Sequence, residues 1–166
     1  MNYRVLLNGL QLALRASIAA GVAVALAQLS GLQHPLYAFL AAVIVTDLAP
    51  SQSRKLAFHR IVATAVGAIC GAALTPVLPT GPIAIGMGIL IAMLACQLAQ
   101  VRDAAKVAGF ICGILVLENS TEPWVSGFYR FLETTLGVMV ALAVSYVPKL
   151  IKLEEPEERS INQAAE

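Results

Sequence analysis

The sequence predicts an all-α integral membrane protein with six transmembrane helices, arranged as an inverted repeat of three plus three. Three observations support this fold class. Of the 166 residues, 58% are hydrophobic and only 13% are charged, and the mean hydropathy is +0.78, whereas an ordinary soluble domain is about a quarter charged. Apolar segments alternate with breaks rich in proline or charge, and a motif recurs at a period of about 70 residues. Lipid is therefore the expected solvent for much of the surface.

Six apolar segments can be marked, at approximately Leu10–Leu29, Leu36–Leu48, Ile61–Leu78, Ile83–Leu98, Ala105–Leu117 and Phe128–Val147. A perpendicular crossing of the hydrocarbon layer needs about 20 residues. The first, third and sixth segments reach or approach that length, whereas the second and fifth fall well short. We assign residues 1–150 to a six-helix transmembrane domain and residues 151–166 to a short charged cytoplasmic tail.

The first segment also imitates a cleavable signal peptide, because Arg4 and Arg15 precede an apolar run that closes with Ala25-Leu26-Ala27. Since further apolar segments follow, an uncleaved first helix is the simpler interpretation.

Lysine and arginine are concentrated in alternate connections. They lie before the first helix, between the second and third, between the fourth and fifth, and after the sixth. The other connections carry only Arg130. Basic loops face the cytoplasm, so the sequence predicts cytoplasmic amino and carboxyl ends in a multi-pass protein. The compact chain fits the inner (plasma) membrane of a bacterium.

The repeat is carried by two matching stretches. Arg60-Ile-Val-Ala-Thr64-Ala-Val-Gly67 in the third segment corresponds to Arg130-Phe-Leu-Glu-Thr134-Thr-Leu-Gly137 in the sixth. Three helices per copy invert the second copy in the membrane. Inverted repeats are a common plan of secondary transporters, in which equivalent short segments point to broken helices along the pathway. The second and fifth segments occupy such equivalent positions.

Three arginines are predicted to contact substrate. Arg60 and Arg130 are expected at helix starts, where the helix end is already positive, so both charges would attract an anion. Arg15 lies inside the first helix, where it either contacts substrate or snorkels to the headgroups.

Three acids are candidates for coupling or for ion pairs. Asp47 and Glu118 end the two short segments, and each carries a proton, pairs with the neighbouring arginine or is a plain interfacial residue. Glu133 follows Arg130 by three residues and shares its helix face. Arg130 therefore either attracts an anion or forms a structural ion pair with Glu133 or Glu118.

The remaining patterns concern packing. Gly67, Gly71, Gly109 and Gly113 form small-xxx-small motifs that allow close helix approach, within one chain or between chains. The three cysteines are interpreted as small buried hydrophobic residues. No motif for an enzyme, a cofactor, a metal or nucleic acid is found. The expected partners are an organic anion, membrane lipids and further copies of the chain.

In the Arg60–Gly71 and Arg130–Gly137 stretches, the sequence resembles the aromatic acid exporter family. That family belongs with the fusaric acid resistance proteins and, more distantly, the plant aluminium-activated malate transporters. The resemblance covers roughly residues 5–150. It implies an oligomeric six-helix membrane domain that exports small organic anions, typically aromatic carboxylates, with arginines at the positions of Arg60 and Arg130 attracting the carboxylate.

The sequence therefore leaves two functions from different classes open. The leading hypothesis is an oligomeric exporter or channel for organic anions. The alternative is a non-transporting scaffold or accessory subunit, because many members of the family add a cytosolic domain or a second six-helix block. A membrane-embedded enzyme is disfavoured by the missing motifs.

Overall fold

A computed structural model describes residues 3–32, 34–78 and 81–147, and this part of the chain contains helices and no strand. The helices are α1 (Tyr3–Leu29), α2 (Pro35–Val45), α3 (Pro50–Leu74), α4 (Pro82–Leu98), α5 (Ala105–Glu118) and α6 (Pro123–Ser145), with a 3₁₀ turn at Arg102–Ala104. The predicted tail, residues 151–166, lies outside the described residues. The all-helical prediction is confirmed.

Among the described helices, α1, α3 and α6 are long and apolar enough to cross a membrane, whereas α2 and α4 are apolar but shorter. This agrees with the lengths read from the sequence. The crossing of the membrane by all six helices stays a prediction.

Proline marks the beginning of four helices, at Pro35, Pro50, Pro82 and Pro123. Proline suits the first turn because its fixed φ is already helical and the amide hydrogen it lacks would have no helical partner there. Two of these starts lie earlier than the apolar segments indicated. Hydropathy identifies only the apolar part of a helix, so the polar opening turns of α3 were missed, and α6 was placed from Phe128 although it begins at Pro123.

Two connections are short because the preceding helix stops abruptly. Gly31 has a φ of 67° and Asn119 a φ of 43°, the left-handed conformation that commonly closes a helix. After α1, the amide of Leu32 bonds back to the carbonyl of Ala27 at 3.0 Å. These turns bring α2 back beside α1, and α6 back towards α5.

The helix pairs follow a regular pattern. The long helices α3 and α6 pack against each other at the centre; α3 also packs on α5, and α6 also packs on α2. On the outside, α1 covers α2 and α6, and α4 covers α5 and α3. The short helices α2 and α5 thus each lie between a central helix and a peripheral one.

The interior is built from small residues and the surface from large apolar ones. Ala19, Ala23 and Ala27 of α1 are buried against Ala38 and Ala42 of α2. The opposite face of α1 exposes a row of aliphatic side chains: Leu6, Leu10, Leu14, Ile18, Val22 and Leu26. A soluble helix has the reverse arrangement. Close backbone packing with an apolar exterior is expected when lipid surrounds the bundle.

Candidate functional site

Three buried arginines are the most unusual feature of this interior. Arg15, Arg60 and Arg130 are 3%, 4% and 2% exposed. Charged side chains inside apolar helices are expensive and mark structural pairs, substrate pathways or ion sites. The partners of each arginine distinguish these roles.

Arg15 is held by main-chain carbonyls. Its Nη2 donates to the carbonyl of Val147 at 2.8 Å, and its Nη1 donates to that of Leu48 at 3.3 Å. Both acceptors follow the ends of helices, where carbonyls lack helical partners. Arg15 therefore ties α1 to the segments that follow α2 and α6, which is a structural use of the charge.

Arg130 forms an ion pair with Glu118, joining α6 to the last residue of α5. Its guanidinium also stacks on the ring of Tyr37 from α2, with Cζ 3.6 Å from the ring centroid. Glu118 remains accessible, with 37% of its side chain exposed. The ion pair with Glu118 is one of the two that the sequence left open for Arg130.

Glu133 lies deeper, on the same helix, and is 0% exposed. Its Oε1 accepts a hydrogen bond from the amide of His34 at 2.7 Å, just before α2 begins. Within the described part of the chain, Oε2 has no hydrogen-bond partner, and neither has Nη1 of Arg130. Glu133 and Arg130 are thus neighbours that each keep one unused buried atom.

Arg60 has a different environment. It lines a cleft of about 210 Å³ whose other walls are Ile44, Gln52, Lys55, Leu56, His59, Asp103 and Val107. Its Nε has no hydrogen-bond partner among the described residues, and no described carboxylate lies within ion-pair distance of it. Asp103 is instead 3.8 Å from Nδ1 of His59. A buried guanidinium thus faces a cleft that also contains Lys55.

The expected placement of Arg60 and Arg130 at helix starts was wrong. Arg60 lies well inside α3, which begins at Pro50, and Arg130 lies inside α6, which begins at Pro123. The positive helix end therefore does not add to the potential at either arginine, because that effect fades beyond the first turn. What each arginine can do therefore depends on its burial and on its partners.

Asp47 forms hydrogen bonds at the beginning of α3. Its Oδ1 accepts from the amide of Ala49 at 3.1 Å, and its own amide bonds to Oγ of Ser53 at 3.0 Å. Ser53 in turn bonds to Ser145 at 2.9 Å. Asp47 and Arg60 are not brought within ion-pair distance, so Asp47 does not mirror the pairing of Glu118.

The four predicted packing glycines face helices of the same chain. A Cβ added at Gly67 would lie 2.5 Å from the carbonyl oxygen of Ala108, and one at Gly71 would lie 2.8 Å from Cβ of Leu115, both on α5. Gly109 and Gly113 face Met93 and Ile89 of α4. The alternative of contacts between chains is therefore not needed to explain them.

Three contributors were missed by sequence reasoning. Tyr37 stacks on Arg130, His34 supplies an amide to Glu133, and Gly137 meets the backbone of Ala38 so closely that an added Cβ would overlap its carbonyl oxygen. Only Gly137 carried a signal, as the repeat counterpart of Gly67. Nothing in the sequence indicates which side chain will lie over Arg130.

A separate groove of about 430 Å³ runs along α3 and α6. Its floor is made of small residues, its rim contains aromatic ones, and the residues that line it are Ala65, Ala68, Ile69, Ala72, Trp124, Gly127, Phe128 and Phe131. No charged residue lines it. It is an apolar outer surface, unlike the Arg60 cleft. No group of three or more metal-ligating side chains is found in residues 3–32, 34–78 and 81–147.

Comparison with known proteins gave one match. The pattern of the family described as fusaric acid resistance protein-like matches residues 22–144. No curated protein matches the chain, and no solved structure matches it.

Proposed function

Because the chain belongs to the fusaric acid resistance protein-like family, we propose that it is an oligomeric membrane transporter or channel that exports small organic anions. The family implies a membrane protein with a transport role in general, rather than an enzyme. The charged cleft around Arg60 supports a particular class of substrate.

The observation that carries the proposal is the buried guanidinium of Arg60, which forms no ion pair with any residue that the structure describes. Arginine presents a planar fork of donors that matches a carboxylate. Ile44, Leu56 and Val107 provide an apolar wall beside Arg60 and Lys55. A cleft of about 210 Å³ is smaller than the roughly 300–1,000 Å³ of pockets for drug-sized ligands. These features favour a small acid with an apolar body, such as an aromatic carboxylate.

The helix packing supports an inverted repeat of three plus three. Exchanging α1 with α4, α2 with α5, and α3 with α6 leaves the set of packed helix pairs unchanged. Gly67 approaches the carbonyl of Ala108, and Gly137 approaches that of Ala38. These two contacts are related by the same offset that relates Arg60 to Arg130. We therefore propose that all six helices cross the membrane and that the two halves have opposite orientations.

In this arrangement the Arg60 cleft belongs to the cytoplasmic end and the Arg130 cluster to the outer end, with both chain termini in the cytoplasm. This orientation follows from the basic residues in alternate connections. The proposed location is a bacterial inner membrane. The apolar groove along α3 and α6, and the aliphatic face of α1, are surfaces through which copies of the chain could associate within lipid.

Flux of carboxylates into proteoliposomes containing only this protein tests the proposal. Arg60→Gln keeps a side chain of similar reach but removes the charge. Because hydrogen bonds to charged groups contribute about 1.5–3 kcal/mol, we expect a loss of carboxylate flux on the order of 10- to 100-fold. Arg102→Gln, an exposed arginine beside α5, is the matched control and should keep wild-type flux. Equal flux for Arg60→Gln and wild type would refute the role of Arg60.

The scaffold or accessory-subunit function remains the second candidate, because Arg15 and Arg130 are both engaged in structural contacts. Arg130→Gln distinguishes the two functions. A transporter should lose flux while the protein stays assembled in native electrophoresis, whereas a scaffold should lose its assembly. Absence of flux for every anion, from folded and oligomeric wild-type protein, would favour the scaffold.

A further inference from the structure

We infer that the Arg130–Glu118–Glu133 cluster is a proton-binding site that holds one exchangeable proton on Glu133. The site itself stands apart from the transport proposal, but its use as the coupling site rests on that proposal. The ligand is a proton, and the cluster is separate from the Arg60 cleft.

The charges of the cluster balance only if it holds one proton. The cluster contains two carboxyl groups and one guanidinium, all at the junction of α2, α5 and α6. Arg130 is paired with Glu118 and covered by the Tyr37 ring. If Glu133 were also ionised, the cluster would carry a net negative charge, and the uncompensated charge would lie on the fully buried Glu133 rather than on the partly exposed Glu118. One proton makes the cluster neutral, and burial in a low-dielectric interior strongly favours a neutral group.

The contacts identify Glu133 as the acid that carries the proton. Glu118 is partly exposed and forms the ion pair with Arg130, so its negative charge is compensated. Glu133 is 0% exposed, and only Oε1 receives a donor, the amide of His34. Oε2 has no hydrogen-bond partner within the described residues. A protonated carboxyl group accepts through one oxygen and carries its hydrogen on the other, which fits this division.

Three features favour an ionised Glu133, but they are weaker; one is the charge of Arg130, which its ion pair with Glu118 already compensates. The His34 amide stabilises negative charge on Oε1, and the beginning of α2 adds the positive end of a helix dipole. None of them places a hydrogen-bond donor on Oε2 among the described residues, and desolvation of an unpaired carboxylate costs more than they provide.

The other charged and titratable groups near the cluster face other parts of the fold or are exposed to solvent. His34 and Tyr37 face the cluster from α2, Glu118 faces it from α5, and Arg130 lies on the same helix. The helices α1 and α3 also pack on α6. Their buried charges are engaged elsewhere: Arg15 at the carbonyl of Val147, and Arg60 at its own cleft. The His34 side chain is exposed to solvent.

Infrared spectroscopy of the full-length protein in liposomes tests the inference without measuring transport. A protonated carboxyl group has a carbonyl stretch well separated from that of a carboxylate. At neutral pH, wild type should show this band and Glu133→Gln should lose it. Glu118→Gln should also lose it, although Glu133 is present, because one ionised carboxylate then suffices to balance Arg130.

Two substitutions serve as controls. Glu122→Gln removes an exposed carboxyl group next to α6 and should keep the band, and His34→Gln should keep it as well, because its backbone amide remains. Absence of the band from wild type, or its persistence in Glu133→Gln, would overturn the assignment. Persistence in Glu118→Gln would overturn the charge-balance argument.

Proton movement tests the coupling. With a pH-sensitive dye inside the proteoliposomes, wild type should move protons together with the anion, and Glu133→Gln should lose that proton movement and any acceleration of anion flux by a pH gradient. The carboxyl band in a wild-type protein that moves no anion would support the proton site and refute the transport proposal. Anion flux without the band, or with proton movement retained in Glu133→Gln, would refute the proton site alone.

Discussion

At the scale of single residues, similar arginines in similar apolar segments have three different environments. Arg15 bonds to main-chain carbonyls, Arg130 pairs with an acid and an aromatic ring, and Arg60 faces an open cleft. Burial alone does not separate these roles, because all three are at most 4% exposed. The number and kind of partners separate them, since a guanidinium already engaged by the protein has fewer donors to offer a ligand.

The structural use of Arg15 can be tested by its effect on stability. Arg15→Gln should lower the free energy of unfolding by about 1.5–3 kcal/mol, because the carbonyls of Leu48 and Val147, just after two helix ends, lose a charged donor. Unfolding of the purified protein in mixed micelles measures this change. The exposed control Arg102→Gln should stay within about 0.5 kcal/mol of wild type. Unchanged stability combined with lost anion flux would instead return Arg15 to the substrate-binding role that the sequence predicted.

At the scale of helices, packing depends on two glycines at backbone crossings. Gly67 lies against the carbonyl of Ala108, and Gly137 against that of Ala38. Both contacts are with main chain, which cannot move aside as a flexible side chain does. By contrast, Gly113 faces the side chain of Ile89, where an added Cβ would lie 3.2 Å from Cγ1, and Gly86 faces open space.

Alanine substitutions should rank in the order of these contacts. Gly67→Ala and Gly137→Ala should destabilise the bundle by about 1–3 kcal/mol or more through overpacking, and Gly113→Ala should cost less. Gly86→Ala is the control and should be neutral or stabilising by up to about 1 kcal/mol, since alanine is the better helix former. Unfolding in mixed micelles gives the order. Equal effects at Gly137 and Gly86 would contradict the crossing of α6 with α2.

The helix elements were largely predictable, but the three long helices begin earlier than the apolar segments indicated. Hydropathy located every apolar segment, and the ends of α1 and α4 agree with the predicted limits. The start of α3 at Pro50 was missed because its first turns are polar and give no hydropathy signal. The proline nevertheless begins the helix there, and backbone hydrogen bonds extend it to the apolar part. That error also produced the mistaken placement of Arg60 at a helix end.

At the scale of the whole molecule, an apolar exterior surrounds an interior of small residues with buried charges. The exposed aliphatic row of α1 and the groove along α3 and α6, which no charged residue lines, are both apolar surfaces. In water such surfaces would cause aggregation. In a membrane they are the expected lipid-facing or subunit-facing surfaces.

The proposed inverted orientation is testable by labelling single cysteines in a background without Cys70, Cys96 and Cys112. Thr121→Cys, in the connection between α5 and α6, should react with a membrane-impermeant thiol reagent added to intact cells. Arg102→Cys, in the connection before α5, should react only after the membrane is opened. Both are exposed positions. Labelling of both from the same side would show that α5 does not cross, and the opposite pattern would reverse the orientation.

The sequence by itself indicated an all-helical membrane protein of this family and named the charged residues to be tested. Composition excludes a soluble domain, and the recurring Arg-xxx-Thr-xx-Gly motif indicates the family resemblance that the comparison confirmed. These properties are local or additive along the chain, so they can be read without coordinates. The glycine motifs likewise indicated close packing before any partner was known.

Only the tertiary structure decided which charges meet. Arg130 could have paired with Glu118 or Glu133, and the fold places Glu118 at its guanidinium while turning Glu133 towards the start of α2. Asp47 lay at the position corresponding to Glu118 and yet bonds to the amide of Ala49. Tyr37, distant in sequence from Arg130, lies over it. Such pairings depend on helix rotation and crossing, which are set by packing between segments remote in the chain.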